Sequence, residues 1–171
     1  MSEIKYPYLP EGKTINYVTI DNRWMAAAKE FSRLHATDRQ MPTGAVLVKD
    51  GHIIGSGANQ VPLKNPFFAM IHKNYFCVRR ILRIPTGQKY WLCPGCSASK
   101  HHSEGRSVRD AHNHGEETVG ADMYLWGHWW ACKPCWDAIT GGGVQGLYLL
   151  QDSETLFNKL HPNNIIGRQF D

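Results

Sequence analysis

The sequence predicts a three-layer α/β domain. Two observations predict this fold class: an apolar hairpin near the start, and strands that then alternate with helices. The chain has 171 residues, enough for one domain with a core but short for two. We therefore expect residues 1–171 to form a single domain, with an extended arm over residues 1–20 and an inserted basic segment over about residues 61–100.

The first helix is expected over about residues 24–35, because Asp21 or Asn22 can cap its N-terminus. Apolar residues at helical spacing would form its core-facing side: Trp24, Ala27, Ala28, Phe31 and Leu34.

Two strands and a tight turn are predicted next. Residues 43–48 and 52–57 are short apolar runs, and the Asp50-Gly51 pair between them favours a hairpin turn. The remaining predicted elements are a helix after Pro66, a helix over residues 103–112, a strand over 123–126, a helix over 135–140, a strand over 147–150 and a last helix that packs Leu156, Phe157 and Leu160 on the sheet.

The composition excludes several classes of protein. Hydrophobic residues make up 42% of the chain and charged residues 20%, as in ordinary globular domains. No apolar run is long enough to span a bilayer, and residues 1–10 lack the apolar core of a secretion signal. These features predict a cytoplasmic protein that does not associate with membranes.

The chain has five cysteines, an odd number, so they cannot all pair with one another. Four of them form two C-x-x-C pairs, Cys93 with Cys96 and Cys132 with Cys135. This spacing in a cytosolic chain favours metal binding or redox chemistry over a disulfide framework.

An H-x-E triplet, His102 to Glu104, precedes the second pair by enough chain for a helix and a strand. Zinc takes tetrahedral nitrogen and sulfur ligands, and catalytic sites leave one position to water. His102, Cys132 and Cys135 are therefore the predicted ligands of a catalytic zinc, and a helix N-terminus would favour the thiolates. Because zinc lowers the pKa of its water, hydroxide is available near neutral pH, and Glu104 can move the proton without binding the metal.

A second H-x-E triplet, His114 to Glu116, leaves no room for a helix before the strand at residue 123 and is disfavoured. The alternative to catalysis is a purely structural zinc site that uses the same ligands, with Glu104 incidental. The triplet, its spacing and the intervening strand together favour catalysis.

Several stretches resemble the deoxycytidylate deaminase family of the cytidine deaminase superfamily. They are residues 43–55 (TGAVLVKDGHIIG), 57–59 (GAN), 102–104 (HSE), 120–126 (GADMYLW) and 132–135 (CKPC). The resemblance covers roughly residues 22–150. It implies a three-layer α/β/α cytidine-deaminase-like fold, in which a central mixed sheet of about five strands is flanked by helices on both faces. It also implies deamination at C4 of a cytosine ring and a homo-oligomer.

The resemblance also implies substrate contacts. Asn59 would close the second strand and contact the sugar, or else only cap a turn. Ser103 stands where the family usually has Ala or Val, and Ala131 where it usually has Pro; we place Ser103 among the substrate-binding residues. Trp129 and Trp130 lie on an expected active-site loop, where an aromatic ring can stack on a base. The alternative is that these tryptophans are core or dimer-interface residues.

A second, structural zinc site is the prediction for the other cysteine pair. Cys93-Pro94-Gly95-Cys96 is a tight turn of the type found in zinc knuckles. Cys77, with His101 or His72, would complete four ligands. Some phage-type deoxycytidylate deaminases carry an additional structural zinc with different spacing. The alternative is that these cysteines are free, buried thiols.

The stretch from Gly51 to Ser103 contains no Asp or Glu. Its basic residues are Lys64, Lys73, Arg79, Arg80, Arg83, Lys89 and Lys100. A segment of one charge sign suits a partner that carries phosphate, although it can also be an ordinary solvated surface.

Together these observations predict a zinc-dependent hydrolase that converts dCMP to dUMP and ammonia, with a small nucleotide as its partner. One alternative is a deaminase of a free nucleoside or of a base in RNA or single-stranded DNA. Another is a non-enzymatic, zinc-stabilised nucleic-acid-binding module. The chain has no long basic tail and no aromatic-basic repeat, which disfavours a polynucleotide partner.

Overall fold

A computed structural model describes residues 7–38, 41–84, 89–96 and 99–170. Within them the strands are β1 (Ile15–Val18), β2 (Gly44–Lys49), β3 (His52–Ala58), β4 (Asp122–Trp126) and β5 (Gly146–Leu150). The helices are α1 (Arg23–His35), α2 (Pro66–Asn74), α3 (Val78–Ile81), α4 (Ser103–Asn113), α5 (Lys133–Gly141) and α6 (Ser153–Phe157).

The strands form one mixed sheet in the order β1-β5-β4-β2-β3. β1, β5 and β4 run parallel to one another, whereas β2 is antiparallel to both β4 and β3. The predicted fold class, an α/β domain with a mixed sheet of about five strands, is confirmed.

β1 lies within the arm predicted over residues 1–20. It pairs with β5 in parallel, with Ile15 opposite Leu147 and Val18 opposite Leu150. The sequence pattern did not predict this strand, because four residues at a sheet edge, three partly buried and one exposed, give too short an alternation to detect. Residues 1–6 of the arm lie outside the described residues.

The cap of α1 is Asn22, whose Oδ1 accepts hydrogen bonds from the backbone N–H groups of Trp24 and Met25 at 3.0 and 3.1 Å. The buried residues of the helix are Met25, Ala28 and Ser32. The predicted core face was therefore wrong at Leu34, which is 55% exposed. The helix approaches β2 at Gly44, where a Cβ would collide with the helix backbone, so small residues face the strand.

The hairpin turn between β2 and β3 is confirmed. Asp50 and Gly51 both have positive φ angles, 50° and 76°. Two such residues give the turn whose twist matches the flanking strands.

Helix α4 lies close against β3 because two glycines of that strand leave room for it. A Cβ on Gly55 would lie 2.8 Å from the Cβ of Ala111, and one on Gly57 would lie 2.5 Å from the backbone N of Ser107. This close approach fixes the position of α4 and of the H-x-E triplet at its N-terminus.

Two hydrophobic clusters fill the two faces of the sheet. The cluster under α4 and α5 includes Leu47, Val108, Met123, Leu125, Trp136, Ile139 and Leu149. The cluster under α1 and α6 includes Met25, Ala28, Val46, Tyr124, Trp126 and Phe157. The sheet is therefore covered by helices on both sides, as the three-layer prediction requires.

The last helix is shorter than predicted. α6 ends at Phe157, and Leu160, which was expected to pack on the sheet, is 92% exposed. Pro162 follows closely and disfavours a longer helix. No helix among the described residues is long and apolar enough to cross a membrane.

Candidate metal centre

His102, Cys132 and Cys135 meet where α4 and α5 begin. His102 is the N-cap residue of α4 and Cys132 that of α5, and neither side chain makes a capping hydrogen bond. Cys135 lies in the first turn of α5. The three side chains are thus available to a shared ligand, and the helix dipoles favour thiolates at these positions.

The separations of the ligand atoms fit a tetrahedral metal ion. His102 Nδ1 lies 3.2 Å from Cys135 Sγ and 3.6 Å from Cys132 Sγ, and the two sulfurs lie 3.1 Å apart. Tetrahedral zinc with ordinary bond lengths places its sulfurs about 3.8 Å apart and a nitrogen about 3.6 Å from each sulfur. A small outward movement of one thiol would seat the ion.

Glu104 lies beside this cluster without belonging to it. Its side chain is buried in the first turn of α4 and accepts a hydrogen bond of 2.9 Å from Ser103 Oγ. Ser103 is itself fully buried and also lies 3.4 Å from Thr43 Oγ1. Ser103 is thus placed to hold the Glu104 carboxylate, and its contact with substrate stays a prediction.

The two cysteine thiols differ in acidity, because one donates a hydrogen bond to the other. The hydrogen bond from Cys135 lowers the pKa of the Cys132 thiol to about 6, against the opposing effect of burial. The same hydrogen bond, together with burial, raises the pKa of Cys135. One thiolate is therefore present at neutral pH before any metal arrives, and a cation would release the second proton.

His128 completes the surroundings of the centre. Its Nδ1 accepts the backbone N–H groups of Trp129 at 3.1 Å and Trp130 at 3.3 Å. Burial lowers the pKa of His128 to about 4; the charge of Glu104 opposes this and that of His102 adds to it. A neutral imidazole therefore holds the loop that leads to Cys132.

The two tryptophans of this loop differ in exposure. Trp130 is 8% exposed and belongs to the cluster under α4 and α5, which agrees with the alternative of a core residue, while its contact with substrate stays a prediction. Trp129 is partly buried against both clusters, with its ring 6.1 Å from that of Trp130. Of the two, Trp129 retains a surface that a base can reach.

Asn59 forms hydrogen bonds with the backbone of the residues that precede β2. Its Oδ1 accepts the backbone N–H of Thr43 at 3.0 Å, and its Nδ2 donates to the carbonyl oxygen of Met41 at 2.8 Å. These contacts agree with the alternative of a turn-stabilising role. The contact with a sugar stays a prediction.

The other cysteine pair belongs to a second cluster. His72, Cys77, Cys93 and Cys96 each offer one ligand atom, and all four atoms lie within 4.8 Å of one another. His101, predicted as a ligand together with Cys77, is not in the cluster. It lies in the 3-10 turn Ser99–His101, directly before His102 and hence at the first centre.

The second H-x-E triplet takes no part in either cluster. His114 follows the last residue of α4, and its side chain is 69% exposed. The 11 residues of α4 separate it from His102, a distance of about 17 Å along the helix. The structure thus places this triplet away from the first centre, as its rejection requires.

The fold and the cysteine–histidine centre define a zinc-binding α/β class of protein, and the comparison with known families agrees. The chain matches the family described as "Cytidine and deoxycytidylate deaminase zinc-binding region" over residues 18–151. It belongs to that family, and zinc is the metal for which the family is described. No curated protein matches the chain well enough to count as a relative.

Solved structures similar to the chain include the apo dCMP deaminase of the cyanophage S-TIM5. It is 22% identical with a TM-score of 0.46, over 76% of this chain and 82% of that one. A guanine deaminase from Bacillus subtilis is 18% identical with a TM-score of 0.42, over 74% and 60%. A tRNA:A34 deaminase is 23% identical with a TM-score of 0.44, over 75% of each chain. At such low similarity these likenesses do not bear on the substrate of this chain.

Two residues near the centre were missed as site residues. His128 was noted only as a neighbour of the tryptophans, and Tyr90, whose ring centroid lies 5.8 Å from that of His102, was not considered. The HWW sequence at residues 128–130 could have drawn attention to His128. No sequence pattern links Tyr90 to His102, because their contact depends on the path of the inserted segment.

Proposed function

We propose that this chain is a zinc-dependent hydrolytic deaminase of a cytosine nucleotide, converting dCMP to dUMP and ammonia. His102, Cys132 and Cys135 would hold the metal and Glu104 would move the protons. The observation that carries the proposal is the meeting of three ligand atoms beside a buried carboxylate that is not itself a member of the cluster. Membership of the deaminase family supports the reaction type.

The donor set fits zinc, because two thiolates and one imidazole leave one tetrahedral position open. Zinc bound there supplies a Lewis acid that lowers the pKa of a water molecule. Glu104 would take one proton from that water and deliver it to the ring nitrogen, and would then transfer the second proton, from the oxygen now bonded to C4, to the departing amino group. The oxygen of water ends on C4, and the C4–N bond breaks to release ammonia.

Several groups of the chain would orient the base. Ser103 donates a hydrogen bond to one oxygen of the Glu104 carboxylate and would hold it in place for proton transfer. Trp129 offers a ring for stacking, and His128 fixes the backbone of its loop. Asn59 anchors the chain next to β2 and would contact the sugar.

The preference for a nucleotide rests on charge. The acid-free inserted segment lies next to the centre, since Tyr90 contacts His102 and Arg79 stacks on Tyr90 with its guanidinium 4.0 Å from the ring centroid. A positive surface at this place would attract a phosphate group. A free nucleoside has no phosphate and would not be attracted by this charge. A polynucleotide carries many phosphates and would need basic residues along a longer surface.

Ammonia release from a panel of substrates tests the proposal. The panel is dCMP, deoxycytidine and a cytosine-containing single-stranded oligonucleotide, each at low and at high salt. We expect dCMP to be clearly preferred, with an advantage over deoxycytidine that shrinks as salt rises. Equal rates for dCMP and deoxycytidine would contradict the phosphate contact, whereas oligonucleotide binding without any turnover would favour a binding module.

The homo-oligomer implied by the family resemblance is part of the proposal. Light scattering of the purified chain measures it, and a molar mass equal to that of one chain at assay concentration would contradict it.

A further inference from the structure

We propose that the inserted segment holds a second zinc ion, bound by His72, Cys77, Cys93 and Cys96 in a closed structural site. The site is separate from the catalytic centre and uses no side chain of it. The bound ion would keep the inserted segment folded against the N-terminal end of α4.

The distances between the four ligand atoms suit one tetrahedral ion. His72 Nε2 lies 3.1 Å from Cys93 Sγ and 3.7 Å from Cys96 Sγ, and Cys77 Sγ lies 3.6 Å from Cys96 Sγ. The corresponding separations around tetrahedral zinc are about 3.6 Å for nitrogen to sulfur and about 3.8 Å for sulfur to sulfur. A disulfide would bring two sulfurs within about 2.05 Å, and all three cysteines are free.

The backbone around the cluster is shaped for close approach. Cys93 and Cys96 are joined by a tight turn, in which the N–H of Cys96 donates to the carbonyl oxygen of Cys93 at 3.0 Å. A Cβ on Gly95 would lie 2.7 Å from His72 Nε2 and still closer to the ring carbons. Only glycine lets this turn pack on the imidazole, so the turn and the histidine are fitted to each other.

The buried residues of the inserted segment also lie at or next to the cysteine cluster. Among its described residues between 61 and 100, the buried ones are Cys77, Arg79, Cys93 and Gly95. Its large apolar side chains face outwards instead: Phe67, Phe68, Tyr75, Phe76 and Trp91 are 57–80% exposed. The described part of the segment therefore shows no hydrophobic core apart from the cluster. Segments of this kind are held together by disulfides or by metal.

The chemistry of the ligands selects zinc. Three thiolates and one neutral imidazole form a soft donor set, and no carboxylate is present in the sequence from Gly51 to Ser103 to recruit calcium or magnesium. Four protein ligands leave no open position for water, which distinguishes a structural site from a catalytic one. The set would carry one net negative charge with zinc bound, and Arg79 and Arg80 lie against it.

A chain of contacts links this cluster to the catalytic centre. α3 begins directly after Cys77 and carries Arg79, which stacks on Tyr90. Tyr90 in turn meets the His102 ring edge to face, with an interplanar angle of 88°. Loss of the second ion would therefore free the inserted segment and the ring that supports His102.

Elemental analysis of the purified, folded chain tests the proposal without any measurement of activity. We expect two zinc ions per wild-type chain, and one in a Cys93→Ser/Cys96→Ser variant and in a Cys132→Ser/Cys135→Ser variant. The two double variants are matched, since each removes a C-x-x-C pair from one site. His114→Gln, at an exposed histidine outside both clusters, is the control and should keep two.

If a variant does not fold, the zinc content and thiol reactivity of the wild-type chain still decide the test. One zinc per wild-type chain, with Cys77, Cys93 and Cys96 reacting freely with a thiol reagent in the native protein, would overturn the proposal. Two zinc ions that both persist in Cys93→Ser/Cys96→Ser would also overturn it. Failure of the deaminase proposal leaves these metal counts unchanged, so the two proposals fail separately.

Discussion

Glu104 differs from the proposed metal ligands in chemistry and in surroundings. It is a buried carboxylate that accepts a hydrogen bond from Ser103. The nitrogen and sulfur atoms of the other three residues lie within 4.8 Å of one another, and Glu104 is not among this group. A division of labour between residues that hold the ion and a residue that moves protons follows from this arrangement.

Glu104→Gln should separate catalysis from metal binding. The amide keeps the size of the side chain but cannot accept a proton, so we expect kcat for dCMP to fall by at least about 10²–10⁴-fold while the zinc content stays at the wild-type value. Enzyme assays paired with elemental analysis measure both quantities. Glu116→Gln, in the rejected triplet, is the control. Loss of a zinc ion in Glu104→Gln would mean that Glu104 is a ligand.

Ser103→Ala should act on kcat rather than on substrate binding. The fully buried hydroxyl touches Glu104 and Thr43, so its removal loosens the carboxylate without exposing a new surface. We expect a decrease in kcat of about tenfold, the value of one hydrogen bond to a charged group, with KM unchanged. Steady-state kinetics with dCMP checks this. A rise in KM at constant kcat would instead indicate that Ser103 contacts the substrate.

His128 should make stability depend on pH. Burial lowers its pKa to about 4, so between that value and its ordinary pKa of 6.5 only the unfolded chain binds a proton at this group. Stability contributed by neutral His128 is therefore present above about pH 6.5 and is lost as the pH falls towards 4. Denaturant unfolding at pH 7 and pH 5 should show a loss about 2 kcal/mol larger in the wild type than in His128→Gln. Equal losses of unfolding free energy in the two proteins would contradict the lowered pKa of His128.

At the scale of elements, the site depends on how α4 rests on β3. The strand presents Gly55 and Gly57 to the helix, and each lacks the space for a Cβ. α4 contributes the H-x-E triplet, whereas α5 contributes the cysteines from the other side of the centre. A shift of α4 therefore moves Glu104 and His102 together, relative to the cysteines.

Gly57→Ala should damage stability and activity together. The new methyl group would meet the backbone of α4 at Ser107, so we expect a loss of about 1–3 kcal/mol in unfolding free energy and a lower kcat. Gly141→Ala is the matched control, because a Cβ there meets nothing within 4 Å. Its effect should stay within about 0.5 kcal/mol. An unchanged unfolding free energy for Gly57→Ala would contradict the close packing.

Local signals in the sequence predicted the elements that carry the site. The Asp50-Gly51 turn, the Asn22 cap and the spacing from His102 to Cys135 each have a local physical cause, and the structure agrees with them. β1 was not predicted, because its existence depends on pairing with a strand more than a hundred residues away. Sequence reasoning left His72 and His101 as alternatives for the same reason: only the folded path of α2 decides between them.

At the scale of the whole molecule, the two clusters of potential metal ligands lie in different parts of the chain, one in the scaffold of sheet and helices and one in the inserted segment. The sheet and its helices bury two hydrophobic clusters and support the catalytic centre. The inserted segment adds a basic surface but buries little apart from its own cysteine cluster. The scaffold is thus held by apolar burial, and we propose that the inserted segment is held by a metal ion.

Mass spectrometry of the product formed from dCMP in water enriched in ¹⁸O tests the central claim most directly. Hydrolytic deamination takes the new oxygen at C4 from water, so the zinc-loaded chain should yield dUMP that carries one ¹⁸O atom, together with ammonia. Unlabelled dUMP, or no dUMP from a folded chain with its catalytic zinc bound, would contradict the account.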